Sequence, residues 1–150
     1  MLALLLAAAE LAWPPKTYVW PKAYIWNEYI PGRTIAYGIP DTNQRAVRID
    51  CEPREGQLHL FLGGPAGGTV GHVMALEITS RAGIKIFRSW IVDAADGPNF
   101  SFQIDAGEDL IQTLMAGGDV RISTQGSVRT IPGEGAAAVL GPLLKACPGA

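Results

Sequence analysis

The side chains able to do chemistry in this chain are few, and their spacing is the first thing to weigh. His59 and His72 are the only histidines. Either can act as a general base near neutral pH, since imidazole titrates there. A nucleophilic triad also needs a hydroxyl or thiol and an orienting acid, and nothing in the spacing around either histidine marks them. Asp105 stands in FQIDAG (102–107), where a carboxylate at the end of an apolar strand is a second candidate base. Asp93 and Asp96 in VDAADGPN (92–99) form an oxygen-rich turn, the kind of segment that can hold Ca²⁺. It lacks the regular acidic spacing and closing glutamate of a calcium loop, so a solvated turn is the plainer reading. GGPAGG (63–68) has no Lys-Ser/Thr to cradle a phosphate, and no GxSxG, HExxH or GxGxxG occurs. The two cysteines, Cys51 and Cys147, have no CxxC spacing, and with two distant histidines they make a poor zinc set. No catalytic residue, metal or cofactor is expected with any specificity.

The compartment bears directly on the cysteines. Residues 2–9 form an apolar run shorter than the about 20 residues that cross a bilayer. It has the length of a signal-peptide core, with Ala7, Ala8 and Ala9 supplying small residues for cleavage, although no Lys or Arg precedes it. Residues 1–12 are therefore expected to be a signal peptide, the mature protein periplasmic or secreted, and nothing left after cleavage to insert stably in a membrane. An exported chain with two cysteines far apart favours a Cys51–Cys147 disulfide over a redox or metal role; two unpaired buried thiols are the alternative. Closing a loop of about 100 residues is worth up to about 4–5 kcal/mol in the chain-entropy model.

At 150 residues, 48% hydrophobic and 17% charged, the chain has the size and balance of one globular domain. A net charge of −2 and the lack of any Lys/Arg run give no electrostatic footprint for nucleic acid. Residues 13–31 hold three of the four tryptophans and three of the four tyrosines, broken by four prolines. This reads as an irregular N-terminal arm. Its Trp20, Tyr24, Trp26 and Tyr29 either pack down as one edge of the core or form an exposed recognition surface for a protein or envelope component.

From residue 32 onward the chain reads as a single β-domain. Segments 33–37, 46–51, 57–63, 72–79, 83–90, 100–104, 119–124 and 127–131 have strand character between glycine- and proline-rich turns. Within them Val47, Ile49 and Cys51 share an apolar face, as do Leu58, Leu60 and Leu62. The alternation is imperfect in 83–90, where Ile84, Ile86, Arg88 and Trp90 oppose Lys85, Phe87 and Ser89, as in a strand with both faces partly covered. The period changes at 105–115, where Leu110, Ile111, Leu114 and Met115 mark a short helix with acidic residues at its start. The Ala/Leu-rich tail ending in Cys147 reads as a C-terminal helix that contains Pro142. The expected fold is mainly β: a compact antiparallel sandwich or barrel of seven or eight short strands, with a short inserted helix and a C-terminal helix.

Two resemblances follow from these residues. The YGxP turn (Tyr37, Gly38, Pro40), a strand ending in Cys51, the series Ile111, Leu114, Gly117, Val120 and Ile122, and a helix closing on Cys147 together resemble the invasion-associated locus B family of small exported proteobacterial proteins. The resemblance covers residues 35–147. It implies a periplasmic β-domain that pairs a strand cysteine with a C-terminal one, in a family with no established enzymatic activity, acting as a binding or accessory protein of the cell envelope. Separately, FQIDAG followed by AVLGPLL (138–144) resembles the retroviral-type aspartic proteases, in which two carboxylates share a proton and activate water. Ala106 stands where that motif carries a hydroxyl residue, and no flap hairpin separates the segments. A weak hydrolase using Asp105, His59 or His72 is accordingly the alternative function.

Overall fold

The computed structural model describes residues 16–52, 56–63, 69–94, 97–124 and 127–147. The expected signal segment 1–12 and Asp96 lie outside them. Among the described residues ten strands form one curled sheet: β1 (Lys16–Tyr18), β2 (Ile25–Ile30), β3 (Thr34–Gly38), β4 (Arg45–Glu52), β5 (Gln57–Leu62), β6 (Val73–Ser80), β7 (Gly83–Val92), β8 (Asn99–Ile104), β9 (Val120–Thr124) and β10 (Ser127–Ile131). The spatial order is β1-β10-β9-β6-β7-β8-β5-β4-β3-β2. β1 joins β10 in parallel; every other neighbouring pair is antiparallel. The mainly β, barrel-like architecture with two helices is the one the sequence pattern predicts, with two strands more than expected.

Those two strands correct the picture of an irregular arm. The prolines that seemed to break it flank the strands instead: Pro21 precedes β2 and Pro31 follows it, so no ladder hydrogen bond is lost to a proline inside β2. β2 pairs with β3 in register from Ile25↔Gly38 to Glu28↔Ile35, then slips one residue at Tyr29. Such a bulge twists an edge strand away from further pairing.

The concave side of the sheet is the core. Alternation puts Val47, Ile49 and Cys51 of β4 beside Leu62, Leu60 and Leu58 of β5, and these beside Phe100, Phe102 and Ile104 of β8. Leu76 and Ile78 of β6 and Ile122 of β9 extend the same layer. Arg129 is buried within it, donating to the Gly63 carbonyl with its guanidinium 5.4 Å from the Phe100 ring centroid. Helices α1 (Asp109–Met115) and α2 (Ala136–Ala146) pack against each other and close the open side. In α2 the buried residues Ala136, Leu140 and Leu143 recur at four and three positions, one face of a helix, and Cys147 continues that stripe four residues on. Pro142 sits on the exposed side, where water can satisfy the carbonyl that its missing N–H leaves free.

The stripe brings Cys147 to Cys51, and the two are disulfide-bonded across 96 sequence positions with Cα atoms 5.6 Å apart. The helix is thereby fixed to the second layer of the core. Its entrance is equally constrained: Gly133 N–H donates to Asp119 Oδ1 at 3.1 Å, and a Cβ at Gly133 would collide with the Gly117–Gly118 backbone. Among the described residues no helix is long and apolar enough to cross a membrane.

Candidate functional site

The aromatic arm is one candidate site, and three of its four candidate aromatics, Trp20, Tyr24 and Trp26, turn inward. β1 and β2 are the two ends of the sheet, so the segment between them runs across the seam that hydrogen bonding leaves open. Trp26 is 7% exposed, and its Nε1 donates to the Pro132 carbonyl, just beyond β10, at 2.7 Å. Trp20 Nε1 donates to the Thr130 carbonyl at 3.0 Å, and its ring stacks on Tyr24 at 5.6 Å. Tyr24 and Trp26 both rest against Tyr37, at 5.8 and 5.6 Å. Burial, then Asp119, then Tyr24 hold the Tyr37 phenol above its usual titration range. Of the four arm residues, Tyr29 alone is classed as exposed, and Arg45 lies 4.1 Å over its ring. This cluster clasps the two ends of the half-barrel together. Outside the cluster, Val19, Ile25, Tyr29 and Ile30 of the arm remain exposed.

The catalytic candidates are dispersed. His72 is exposed in the turn before β6, its backbone N–H donating to the Thr69 carbonyl at 3.0 Å. Asp105 is exposed after β8 and accepts from Gln57 Nε2 at 3.3 Å. Beside it Lys85 bridges to Glu108 at 2.8 Å, a surface pair that contributes little to stability although the Glu108 hydrogen bond raises the Lys85 pKa. Neither Asp105 nor His72 contacts His59. Among the described residues no three His, Cys, Asp or Glu side chains converge on a common point.

His59 does have partners that the sequence does not reveal. β5 pairs with β8, so a residue far along the chain arrives beside it: His59 Nε2 lies 2.5 Å from Ser101 Oγ, and His59 Nδ1 lies 4.0 Å from Glu52 Oε1. The order Ser–His–Glu is that of a hydrolase triad, but the surroundings are not. Ser101 is 5% exposed in the middle of β8, which is flanked by β5 and β7. The ladders on both sides consume the backbone N–H groups that an oxyanion would need. The Glu52 carboxylate is also too far from Nδ1 to hydrogen-bond it. The ring instead stacks on Phe61 at 4.4 Å, and Arg48, paired with Asp50 at 3.1 Å, lies 4.0 Å over that phenyl group. This polar–aromatic ladder braces the outer face. A fluorophosphonate, which phosphonylates activated serines with loss of fluoride, should therefore leave the intact mass unchanged; stoichiometric labelling that disappears in Ser101→Ala would establish the hydrolase instead.

The outer face carries a second feature, in β7. There Ile84, Ile86 and Trp90 are 66%, 59% and 58% exposed, whereas Ser89 on the opposite side is fully buried. The strand is inverted relative to the usual amphipathic pattern. Parity explains it. Ile91 pairs with Phe100, Phe87 packs 5.5 Å from Phe102, and Leu76 and Ile78 of β6 are buried, so every odd-numbered residue of β7 must point inward. Ser89 is satisfied there by donating to the Ser101 carbonyl at 3.2 Å. Val73, 46% exposed and directly opposite Trp90, extends the apolar stripe onto β6. Next to Trp90 a shallow depression of about 330 Å³ is lined by His59, Arg88, Val92 and Gln103. Neither a protein-family model, nor a curated protein, nor a solved structure matches this chain.

Proposed function

We propose that this chain is a non-enzymatic binding domain that works outside the reducing cytoplasm and docks another macromolecule on the outer face of the β6–β7 hairpin. The observation that carries this reading is the inverted strand: Ile84, Ile86 and Trp90 stand more than half exposed on a regular β-strand paired with β6 from Gly83 to Trp90. Leaving large apolar groups in water brings no folding benefit, and a rimmed apolar patch is what docking surfaces use. The disulfide supports export, since such bonds persist in oxidising compartments. A role as an envelope accessory factor, as in the invasion-associated locus B family, fits the same features and is part of the proposal.

The test places a photo-crosslinking amino acid at position 86 or, as a control, at the exposed position 130, and expresses the full chain with export. Position 86 should give one discrete crosslinked product and position 130 none. No product from position 86, or the same smear from both, overturns the reading. In the same strain, the intact mass before and after alkylation should show loss of the N-terminal segment and no alkylation until reduction. Replacing Ile84 and Ile86 together by Thr should leave folding stability within about 1 kcal/mol of the parent, because neither side chain is buried. A larger loss would make this face structural.

A further inference from the structure

We infer that the occupant of the β6–β7 face is a second copy of this chain, packed hairpin on hairpin about a two-fold axis. The inference rests on reading that face as a docking surface and adds the partner's identity. The argument comes from register. On the outer face the rungs run Val73–Trp90, Ala75–Arg88, Glu77–Ile86 and Thr79–Ile84. The hairpin face thus carries one acid and one base, on adjacent rungs either side of its centre. A two-fold axis lying between the sheets and perpendicular to the strands reverses the order of the rungs. Arg88 then meets the rung bearing the partner's Glu77, and Glu77 meets the rung bearing the partner's Arg88. The Val73–Trp90 rung falls on the partner's Ile84, so apolar contacts cover both ends. An axis parallel to the strands would instead set Arg88 beside the partner's Arg88 and Glu77 beside the partner's Glu77. The charges favour the reversed arrangement, and this self-complementarity is what an isologous interface requires.

The size of the face sets the expected strength. Eight residue pairs at ~3.4 Å span ~27 Å, and the two strands at ~4.8 Å span ~10 Å, a footprint of ~270 Å² per copy. That is well below the ~800 Å² per partner of a standard interface, so the dimer should be weak and reversible.

Sedimentation velocity on the oxidised full chain, from ~1 µM to ~1 mM, covers the range of a weak dimer. The wild type should move from monomer to dimer. Arg88→Glu and Glu77→Arg should each stay monomeric at concentrations at least tenfold higher, since one homodimer would be all-acidic and the other all-basic at the centre. An equimolar mixture of the two variants should restore a dimer, because the charges match in the heterodimer alone. Trp90→Ala, which alters no charge, should weaken association as well. A wild type that stays monomeric throughout overturns the inference, as do charge-reversed variants that both dimerise like the wild type. The crosslink at position 86 separates the two levels of argument. A product of twice the chain mass supports both, while a product with a foreign chain keeps the docking surface and eliminates the second copy.

Discussion

Replacing Cys51 and Cys147 together by alanine should lower the stability of the oxidised protein by about 4–5 kcal/mol, the value for a cross-link that closes a loop of about 100 residues. The cysteines are separated by 96 positions, so the bridge restricts most of the unfolded chain. Both sulfurs are also buried, at 5% and 3% exposure, within the layer shared by β4, β5 and α2. For a chain of this size each kcal/mol moves the midpoint by about 2–4 °C, which gives a fall of about 8–20 °C. Calorimetry of the wild type with and without reductant should reproduce the difference, and reductant should leave the double alanine variant unmoved. An unchanged midpoint on reduction would mean that α2 is held by its apolar stripe alone. The expected loss is a large share of the about 5–15 kcal/mol available to a typical domain, so the fold depends heavily on this one bond.

The parts of this structure legible in the sequence are those decided by local periodicity. Leu58, Leu60 and Leu62 alternate cleanly, and β5 buries them. The change of period at Leu110, Ile111 and Leu114 becomes α1, and those residues are buried. The C-terminal stripe becomes α2 and delivers Cys147 to Cys51. What local pattern cannot show is which strands become neighbours. β5 lies beside β8 because the whole β6–β7 hairpin is set aside to the next positions of the sheet, and this pairing alone creates the His59–Ser101 contact. His59 was visible as a candidate, but Ser101 and Glu52 carried no signal of their own. β7 shows the same limit more sharply. Its even-numbered residues are the more apolar set, yet the neighbours Phe100 and Leu76 fix the odd-numbered set inside. Tertiary pairing overrode the pattern, and the residues it left outside are the ones we assign to docking.

Two tryptophans distinguish the core from the recognition surface. Trp26→Ala should cost about 3–5 kcal/mol, the range for deleting a large buried aromatic side chain. It should also cost somewhat more than apolar area predicts, because the Pro132 carbonyl loses the donor that reaches it at 2.7 Å. The loss falls where it is least replaceable: Trp26 links the strand at one end of the sheet to the residue that follows β10, and no ladder hydrogen bonds join those ends. Tyr37, against which Tyr24 also rests, would lose its Trp26 neighbour. Trp90→Ala, by contrast, should stay within about 0.5 kcal/mol of the parent, because a side chain 58% exposed contributes little to folding. Denaturant midpoints of the two variants measure both effects with one probe. A mild Trp26 effect accompanied by loss of the crosslinked product would return recognition to the aromatic arm. A severe Trp26 effect with a silent Trp90 assigns the arm to closing the barrel and leaves the β6–β7 face free to bind.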